Sequence, residues 1–347
     1  MPPPVRLKDI ATQAKVSVAT VSLALRDSTL ISAATRARVV ALARTLEYRA
    51  HPYVSAYMSW RRKRGGLRHP SIALLHHYDT AEGWRKHGSS SVREMHRGVI
   101  EQIRVHGYSV EELWLKVARP RRLLEILRAR AVSGLIFAPV AAKTIRYEIP
   151  WDEFSAVQIG TGPSGLELPR VVHNHYQGAL DAVRQCAARG YRGPGLVIDQ
   201  AHDDRLQHVW RAGFTMGVEE CGFPRHSVYL MSEVRPDPSS LRAWMMREKP
   251  DVVVTNLHHM LETQLREWGF SAPQDLGLVS LSVPALGDRV TGIEQNAALI
   301  GSRATDLLAG ALQLHRTGVL PEAITTLVNG RWNEGETLRT STRKIRG

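Results

Sequence analysis

Residues 7–25 read LKDIATQAKVSVATVSLAL, and this stretch decides the fold of the first part of the chain. Apolar positions recur at the i, i+3, i+4 and i+7 spacing, which predicts one buried face of a helix. The residues of that face are Leu7, Ile10, Ala11 and Ala14. The pattern stops at Lys15-Val16, and Ser17 is a natural N-cap for the next helix. Two short helices joined by a tight turn are therefore predicted.

The second predicted helix has a core face and an outward face. The core face carries Val21, Ala24 and Leu25, and the outward face carries Val18, Ala19, Ser22 and Leu23. A third helix is predicted from Ala33 to Glu47, with Val39, Leu42, Ala43 and Leu46 facing inward. Three short helices with a tight turn between the first two form a helix-turn-helix, whose second helix enters the major groove of DNA.

Net positive charge is concentrated at the same end of the chain. The first 68 residues hold 13 Lys and Arg residues and three acidic residues, whereas the remaining 279 residues hold 33 and 30. A basic end of this kind is suited to a polyanion, because Lys and Arg side chains that neutralise phosphates release bound counterions. The run Arg61-Arg62-Lys63-Arg64 before Gly65-Gly66 is typical of a solvated linker that adds to this attraction.

Length and composition narrow the class of protein further. A chain of 347 residues is too long for one ordinary core, so a small first domain and a larger second one are predicted. No stretch approaches the roughly 20 apolar residues that cross a bilayer, which excludes membrane insertion. Met1 to Arg6 lack the apolar core of a secretory signal, so a cytoplasmic protein is predicted. Cys186 and Cys221 lack metal-ligand spacing and are expected to remain thiols.

Beyond Pro70 the pattern changes to alternating strands and helices. Strands are predicted at 71–76, 110–115, 134–138, 156–159, 196–198, 252–255 and 278–281, and helices at 93–105 and 121–130. Such alternation predicts parallel sheets with crossover helices. About 280 residues of it indicate two doubly wound α/β lobes with a cleft between them.

Residues 5 to 60 resemble the DNA-binding headpiece of the lactose-repressor/galactose-repressor (LacI/GalR) family. The matching positions are Lys8-Asp9-Ile10-Ala11, Ala14, Val16-Ser17, Thr20-Val21-Ser22, Thr35-Arg36, Val39 and Leu46-Glu47-Tyr48. The resemblance assigns base reading to Val18, Ala19 and Leu23. None of these side chains can form a hydrogen bond, so direct readout is expected to use apolar contact with thymine methyl groups.

The same resemblance assigns further contacts with DNA. Phosphate positioning falls to Ser17, Thr20, Ser22, Arg26, Thr35 and His51, and Leu7 is included in the expected DNA-binding set. Residues 51–58 resemble the family's hinge helix, which wedges a leucine into a minor-groove step. Tyr57 stands at that position, so the wedge is Tyr57, the neighbouring Met58, or neither, in which case Tyr57 packs between domains.

The rest of the chain resembles the family's effector domain, which shares the fold of periplasmic sugar-binding proteins. The matching positions are Asn174, Gly178-Ala179, Gly190-Tyr191-Arg192, Gly213-Phe214, Thr255-Asn256, Ile293-Glu294-Gln295-Asn296 and Gly301. The expected effector-binding residues are His77, Trp84, Trp210, Asn256, Ser282 and Gln295, with either tryptophan stacking on a sugar or packing in a core.

The expected cleft departs from the family pattern in three places. A strand that usually ends in Gly-Tyr-Asp reads Ser280-Leu281-Ser282-Val283 here. The usual Asn-Asp after the preceding strand is Asn256-Leu257, and the sugar-binding arginine before Gly213 is replaced by Trp210. A carbohydrate effector is compatible with the pattern. No metal or other cofactor is predicted, because the paired histidines lack structural-zinc spacing. No catalytic residue is predicted either, since hydrolase and phosphate-loop motifs are absent from the sequence.

Two functions follow from these patterns. The favoured one is a homodimeric transcriptional regulator, by resemblance a repressor, that binds double-stranded operator DNA and is controlled by a small-molecule effector between two lobes. The alternative is a constitutive DNA-binding protein with a degenerate cleft, which the missing cleft acid suggests. The expected domains are residues 1–49 for the helix-turn-helix, 50–68 for the hinge helix and basic linker, and 69–347 for effector binding and dimerisation.

Overall fold

The protein is described here from a computed structural model. The structure describes residues 7–25, 31–46, 71–116, 120–139, 149–161, 167–232, 237–319, 322 and 324–340. The chain divides into two compact units, residues 1–67 and 68–347. No helix among the described residues is both long and apolar enough to cross a membrane.

The described residues of the N-terminal unit form three helices, α1 (Leu7–Ala14), α2 (Val18–Ala24) and α3 (Ala33–Thr45). Lys15 takes a left-handed backbone conformation with φ 51°, which ends α1 and turns the chain toward α2. Ile10, Val21 and Val39 are fully buried and pack the three helices together. The predicted helix-turn-helix is therefore confirmed, and so are its inward residues apart from Leu7, whose side chain the structure does not describe.

The described part of the second unit consists mainly of strands that alternate with helices. Its first part contains β1 (Ser71–His76), α4 (Ser90–Val105), β2 (Ser109–Trp114), α5 (Pro120–Ala129), β3 (Val132–Phe137), β4 (Ser155–Ile159) and β5 (Arg170–His173). Next come α6 (His175–Ala188), β6 (Pro194–Asp199), α7 (Gln200–Arg205), α8 (Val209–Cys221), β7 (Ser227–Met231), α9 (Pro238–Glu248), β8 (Val252–Thr255), α10 (His258–Glu267), β9 (Gly277–Val283) and β10 (Gly292–Glu294). The described part ends with α11 (Ala297–Gln313), β11 (Thr325–Val328) and β12 (Arg331–Asn333).

The strands form two six-stranded sheets, one in each lobe. The first sheet has the order β11-β5-β4-β3-β1-β2 and the second has the order β12-β10-β9-β8-β6-β7. Neighbouring strands run parallel, except for the antiparallel pair β10 and β12. The chain passes from the first lobe to the second after β5, and it returns to the first lobe with α11 after β10. It enters the second lobe again after β11, so the backbone passes between the lobes three times. The predicted two-lobed α/β fold is confirmed.

Close helix packing holds each lobe together. In the first lobe, α4 lies against α11, where a Cβ added at Gly301 would stand 2.1 Å from the carbonyl oxygen of Met95. In the second lobe, α6 lies against α8, where a Cβ added at Gly213 would stand 2.2 Å from the carbonyl oxygen of Tyr176. Both glycines are required because any larger residue would force two helix backbones apart.

Candidate nucleic-acid interface and inter-lobe cleft

The N-terminal end of α2 is ordered by its capping residue. Ser17 has an extended backbone, and its Oγ accepts a hydrogen bond from the backbone N–H of Thr20 at 3.0 Å. Ser17 Oγ and Thr20 Oγ1 are 2.9 Å apart, so the two hydroxyls also form a hydrogen bond. This pair leaves both hydroxyls at the exposed start of the helix, where the expected phosphate contacts would be made.

The outward face of α2 is apolar, as predicted. Val18 is 44% exposed and Leu23 is half-buried, whereas Val21 and Ala24 on the other face are buried. Thr35 near the start of α3 repeats the capping arrangement, since its backbone N–H donates to Ser32 Oγ at 3.2 Å. The placement of these groups is compatible with the expected roles in base and phosphate contact.

Several expected DNA-contacting side chains fall outside this description. Leu7, Ala19 and Ser22 lie in α1 and α2, but the structure does not describe their side chains. Arg26, His51, Tyr57 and Met58 lie outside the described residues altogether. Their roles stay predictions.

Three crossovers form the hinge between the two lobes. Asn174 follows β5 and its Nδ2 donates to Asn329 Oδ1, which follows β11, at 2.9 Å. Arg331 in β12 donates to the carboxylate of Glu294 in β10 at 2.7 Å. Asn296, between β10 and α11, is left-handed with φ 56°. The first contact joins the segments that follow β5 and β11, and the second joins β12 to β10, so the crossover segments are bonded to one another.

Two polar contacts bridge the lobes across the cleft. Ser91 at the start of α4 and Ser282 in β9 have their hydroxyl oxygens 3.2 Å apart. Arg205 at the end of α7 reaches Thr161 Oγ1, which follows β4, at 3.5 Å. In open α/β sheets, ligands bind at the carboxyl ends of parallel strands, and these contacts lie at such ends.

Three of the expected effector-binding residues lie at or beside this cleft with polar contacts of their own. Ser282 forms the bridge to Ser91. Asn256 follows β8 and is half-buried, with its Oδ1 accepting from the backbone N–H of Asp199 at 3.2 Å. Gln295 is 7% exposed, and its Nε2 donates to the carbonyl oxygen of Leu281 at 3.0 Å. The amide of Gln295 therefore ties the segment that follows β10 to strand β9.

Both tryptophans pack in a core, which is the second of the two alternatives that the sequence left open. Trp84 is fully buried in the core of the first lobe, and its indole N–H donates to the carbonyl oxygen of Val92 at 3.2 Å. The expectation that Trp84 lines the cleft is wrong, because the segment after β1 folds back and packs the indole beside His96. Trp210 is 1% exposed, with rings of His175 and His202 centred 4.8 Å and 5.0 Å from it. Its buried indole therefore cannot stack on a sugar in this arrangement.

His77 follows β1 and is half-buried. Burial, followed by the positive charges of His76 and Lys116, lowers the pKa of its imidazole. His77 is therefore neutral near pH 7, and its position after a parallel strand is compatible with the predicted place in the cleft.

Trp210 belongs to a cluster of aromatic rings around one arginine, which the sequence did not predict. We name it the Arg205 cluster, and it comprises Tyr78, His175, His202, Arg205 and Trp210. Arg205 Nη2 donates to His202 Nε2 at 2.6 Å. Burial, together with the charge of Arg205, lowers the pKa of His202 to about 3, so this imidazole is neutral and accepts the bond. Burial and neighbouring charges likewise lower the pKa of His175 well below its usual range.

Some buried polar atoms of this region have no hydrogen-bond partner among the described residues. They include Trp210 Nε1, His175 Nδ1 and Asp199 Oδ2. The other carboxylate oxygen of Asp199 accepts from the backbone N–H of His202 at 2.6 Å. Buried polar atoms are usually paired, so such groups beside a cleft mark a place where a ligand can supply the missing partners. Both His202 and Arg205 follow β6 closely, and this position could have identified them from the sequence as candidate ligand contacts, since the carboxyl ends of parallel strands face ligands.

The acidic pair of α7 has a structural role. The side chain of Asp203 is fully buried, and its Oδ2 lies 3.0 Å from Arg211 Nε and 2.9 Å from His208 Nδ1. Asp204 and His208 stand close enough to Asp203 to form a possible ligand set for a metal ion. Because Arg211 already neutralises Asp203, we assign this group to packing of α7 against α8.

A helix-turn-helix unit followed by a two-lobed unit with three crossovers defines a class of DNA-binding regulators with a periplasmic-binding-protein-like domain. Comparison with known proteins gives the same result. Residues 6–51 match the family model of bacterial regulatory proteins of the lacI family, and residues 183–337 match that of the periplasmic binding protein-like domain. The chain belongs to the LacI/GalR family and is a transcriptional regulator.

Individual relatives are distant but extend over most of the chain. The HTH-type transcriptional repressor CytR of Escherichia coli strain K12 is 23% identical over 333 residues, covering 90% of this chain and 91% of CytR. A complex of the transcriptional regulator CelR with cellobiose has a TM-score of 0.56 at 18% identity, covering 96% of this chain and 99% of that one. The lac repressor dimer bound to operator and the anti-inducer ONPF has a TM-score of 0.51 at 17% identity, with coverage of 96% and 99%.

Proposed function

We propose that this chain is a repressor that binds a two-fold symmetric operator as a homodimer and is controlled by a sugar-related small molecule held between its lobes. In this proposal the DNA-binding domain is residues 1–49, and residues 50–68 form the hinge helix and basic linker that join it to the rest of the chain. Effector binding and dimerisation belong to residues 69–347. The observation that carries DNA binding is the Ser17-capped α2, whose exposed Val18 and half-buried Leu23 form an apolar face in a strongly basic end of the chain. The solved lac repressor dimer on its operator supports this assignment.

Effector control is supported by the second unit. The Arg205–Thr161 contact and the Ser91–Ser282 pair join lobes whose relative position can change about the three crossovers. Buried polar atoms without described partners lie beside the same cleft, as a ligand-binding site requires. The related CelR fold has been solved with cellobiose, which supports a carbohydrate-related effector for this chain.

Selection of bound fragments from random duplex DNA tests the operator proposal. The full chain should enrich a pseudo-palindrome with half-sites about one helical turn apart, because two headpieces related by two-fold symmetry read it. Affinity for that site should fall steeply with salt, since Lys and Arg contacts release counterions. Enrichment of asymmetric single sites, or of no site, would contradict the proposal.

A constitutive DNA-binding protein is the second candidate function. The side-chain amides of Asn256 and Gln295 are already bonded within the protein, as in a cleft that has lost its ligand. The two candidates differ in one observable, since only an effector-controlled protein changes its operator affinity when the lobes are held closed.

A further inference from the structure

The charge of Arg205 is poorly balanced by the protein. Its guanidinium contacts His202 and Thr161, which are neutral groups, and it forms no ion pair with a carboxylate of the described residues. Asp199 attracts it from beyond ion-pair distance, and burial lowers the pKa of Arg205. A half-buried cation that has lost water contacts is costly unless an anion or several acceptors replace them.

The polar groups around Arg205 include two fixed hydrogen-bond donors, Arg205 itself and Trp210. The guanidinium donates through several N–H groups, and the unpartnered Trp210 Nε1–H is a donor only. Asp199 Oδ2 is an acceptor without a described partner, but it is a single carboxylate oxygen. Neutral sugar hydroxyls need acceptors as well as donors, whereas carboxylate and phosphate groups accept hydrogen bonds and pair with the planar guanidinium in two-point fashion.

We propose that the ligand held between the lobes carries a carboxylate or phosphate group that pairs with Arg205. This inference rests on the proposed effector site and specifies its chemistry. The anion replaces the water that Arg205 lacks, while Asp199 Oδ2, on the same lobe, remains available to a hydroxyl group of the ligand body. A sugar acid or a phosphorylated sugar has both parts, and the corresponding neutral sugar lacks the first.

A matched panel of ligands tests the proposal by thermal unfolding of the full chain at constant ionic strength. The panel contains neutral aldoses, the aldonates made from them, their terminal phosphates, and inorganic phosphate. At least one aldonate or sugar phosphate should raise the melting temperature by roughly 5 °C at 100 times its Kd, because it binds only the folded state. The aldonate and phosphate arms separate the two kinds of anion. The matching neutral aldose should give less than a fifth of that shift.

Arg205→Gln should abolish the anion-dependent shift, whereas Arg192→Gln, which removes an equal charge from an exposed position after α6, should leave it unchanged. Anions that bind only the basic N-terminal unit would raise the melting temperature of both variants equally, and that outcome would overturn the proposal. Arg205→Gln should not lower the melting temperature without ligand, because it removes an unpaired charge. A drop of several degrees would reveal an internal acidic partner and also overturn it.

A shift produced by neutral aldoses and retained in Arg205→Gln would refute the anionic ligand while supporting a sugar effector. If no member of the panel produces a shift that depends on Arg205, the anionic-ligand inference is wrong. Operator binding by the same protein preparation decides the proposed DNA-binding function separately, so failure of one proposal is distinguishable from failure of the other.

Discussion

Ser17 carries two roles that substitution can separate, namely capping of α2 and the phosphate contact expected from its exposed position. Its Oγ accepts from the Thr20 backbone N–H at 3.0 Å. Asn and Asp cap helices about as well as Ser, whereas Ala costs about 0.5–2 kcal/mol. Ser17→Asn and Ser17→Asp should therefore preserve α2, and Ser17→Ala should loosen it. Hydrogen exchange of the amides of residues 18–24 in the full chain measures this loosening.

Operator affinity should follow a different order. Asp adds a negative charge where a phosphate is expected, and two like charges about 4 Å apart repel by about 1 kcal/mol in water and more near a protein surface. Ser17→Asp should thus weaken binding by at least about 5-fold for each headpiece, with each 1.4 kcal/mol equal to tenfold. Ser17→Asn should stay within about threefold of the unchanged protein. Fluorescence anisotropy with labelled operator gives both values.

The series contains its own control, because Ser17→Asp and Ser17→Asn differ in charge and share the capping geometry. Equal operator affinity of these two variants, with α2 protected in both, would refute the expected phosphate contact at this helix end. Loss of protection in Ser17→Asp would show instead that the cap had failed.

Three further predictions concern other parts of the molecule. Replacing thymine by uracil at the bases facing Val18 and Leu23 should weaken operator binding without changing its salt slope, since only methyl contacts are lost; equal affinity would exclude methyl readout. Tyr57→Ala should reduce both specific affinity and DNA bending in circular-permutation gel shifts, while Tyr57→Leu retains most of both; unchanged bending would exclude Tyr57 as the wedge. Gly301→Ala should lower the melting temperature because its Cβ would meet Met95 O at 2.1 Å, whereas Gly310→Ala in the same helix meets nothing within 4 Å and should raise it by the gain in helix propensity; shifts of the same sign would contradict the packing described.

Much of the fold could be predicted because its signals are local. The spacing of Ile10, Ala11 and Ala14, together with the Ser17 cap, was enough for α1 and α2. Apolar runs such as Val252 to Thr255 were enough for most of the buried strands, and the predicted ends differ from the observed ones by at most two residues. The strands β5, β7, β10, β11 and β12 were not predicted. Of these, β10 and β12 have three residues each, which carry too little pattern, and their pairing joins segments on either side of two crossovers.

The candidate cleft was harder to predict because burial there depends on distant segments. Trp84 lies in a loop by sequence, yet packing beside His96 places it in a core. Arg205 follows an acidic pair that looks like a solvated surface, but the end of β6 places it beside Thr161 of the other lobe. The order of strands in each sheet determines which strand ends meet across the cleft, and the spacing of residues in the sequence does not contain that order.

Coupling between lobe closure and DNA binding is the central claim, and a disulfide across the cleft tests it without an effector. The hydroxyls of Ser91 and Ser282 are 3.2 Å apart, which is close enough for cysteines at both positions to be joined after a small adjustment. The Ser91→Cys/Ser282→Cys variant should have an operator affinity that differs between its oxidised and reduced forms by at least about 5-fold, the lower end of typical allosteric coupling. The single-cysteine variants should show no such difference, which controls for oxidation of Cys186 or Cys221. Equal operator affinity of the two forms, with the disulfide verified by mass spectrometry, would contradict the account.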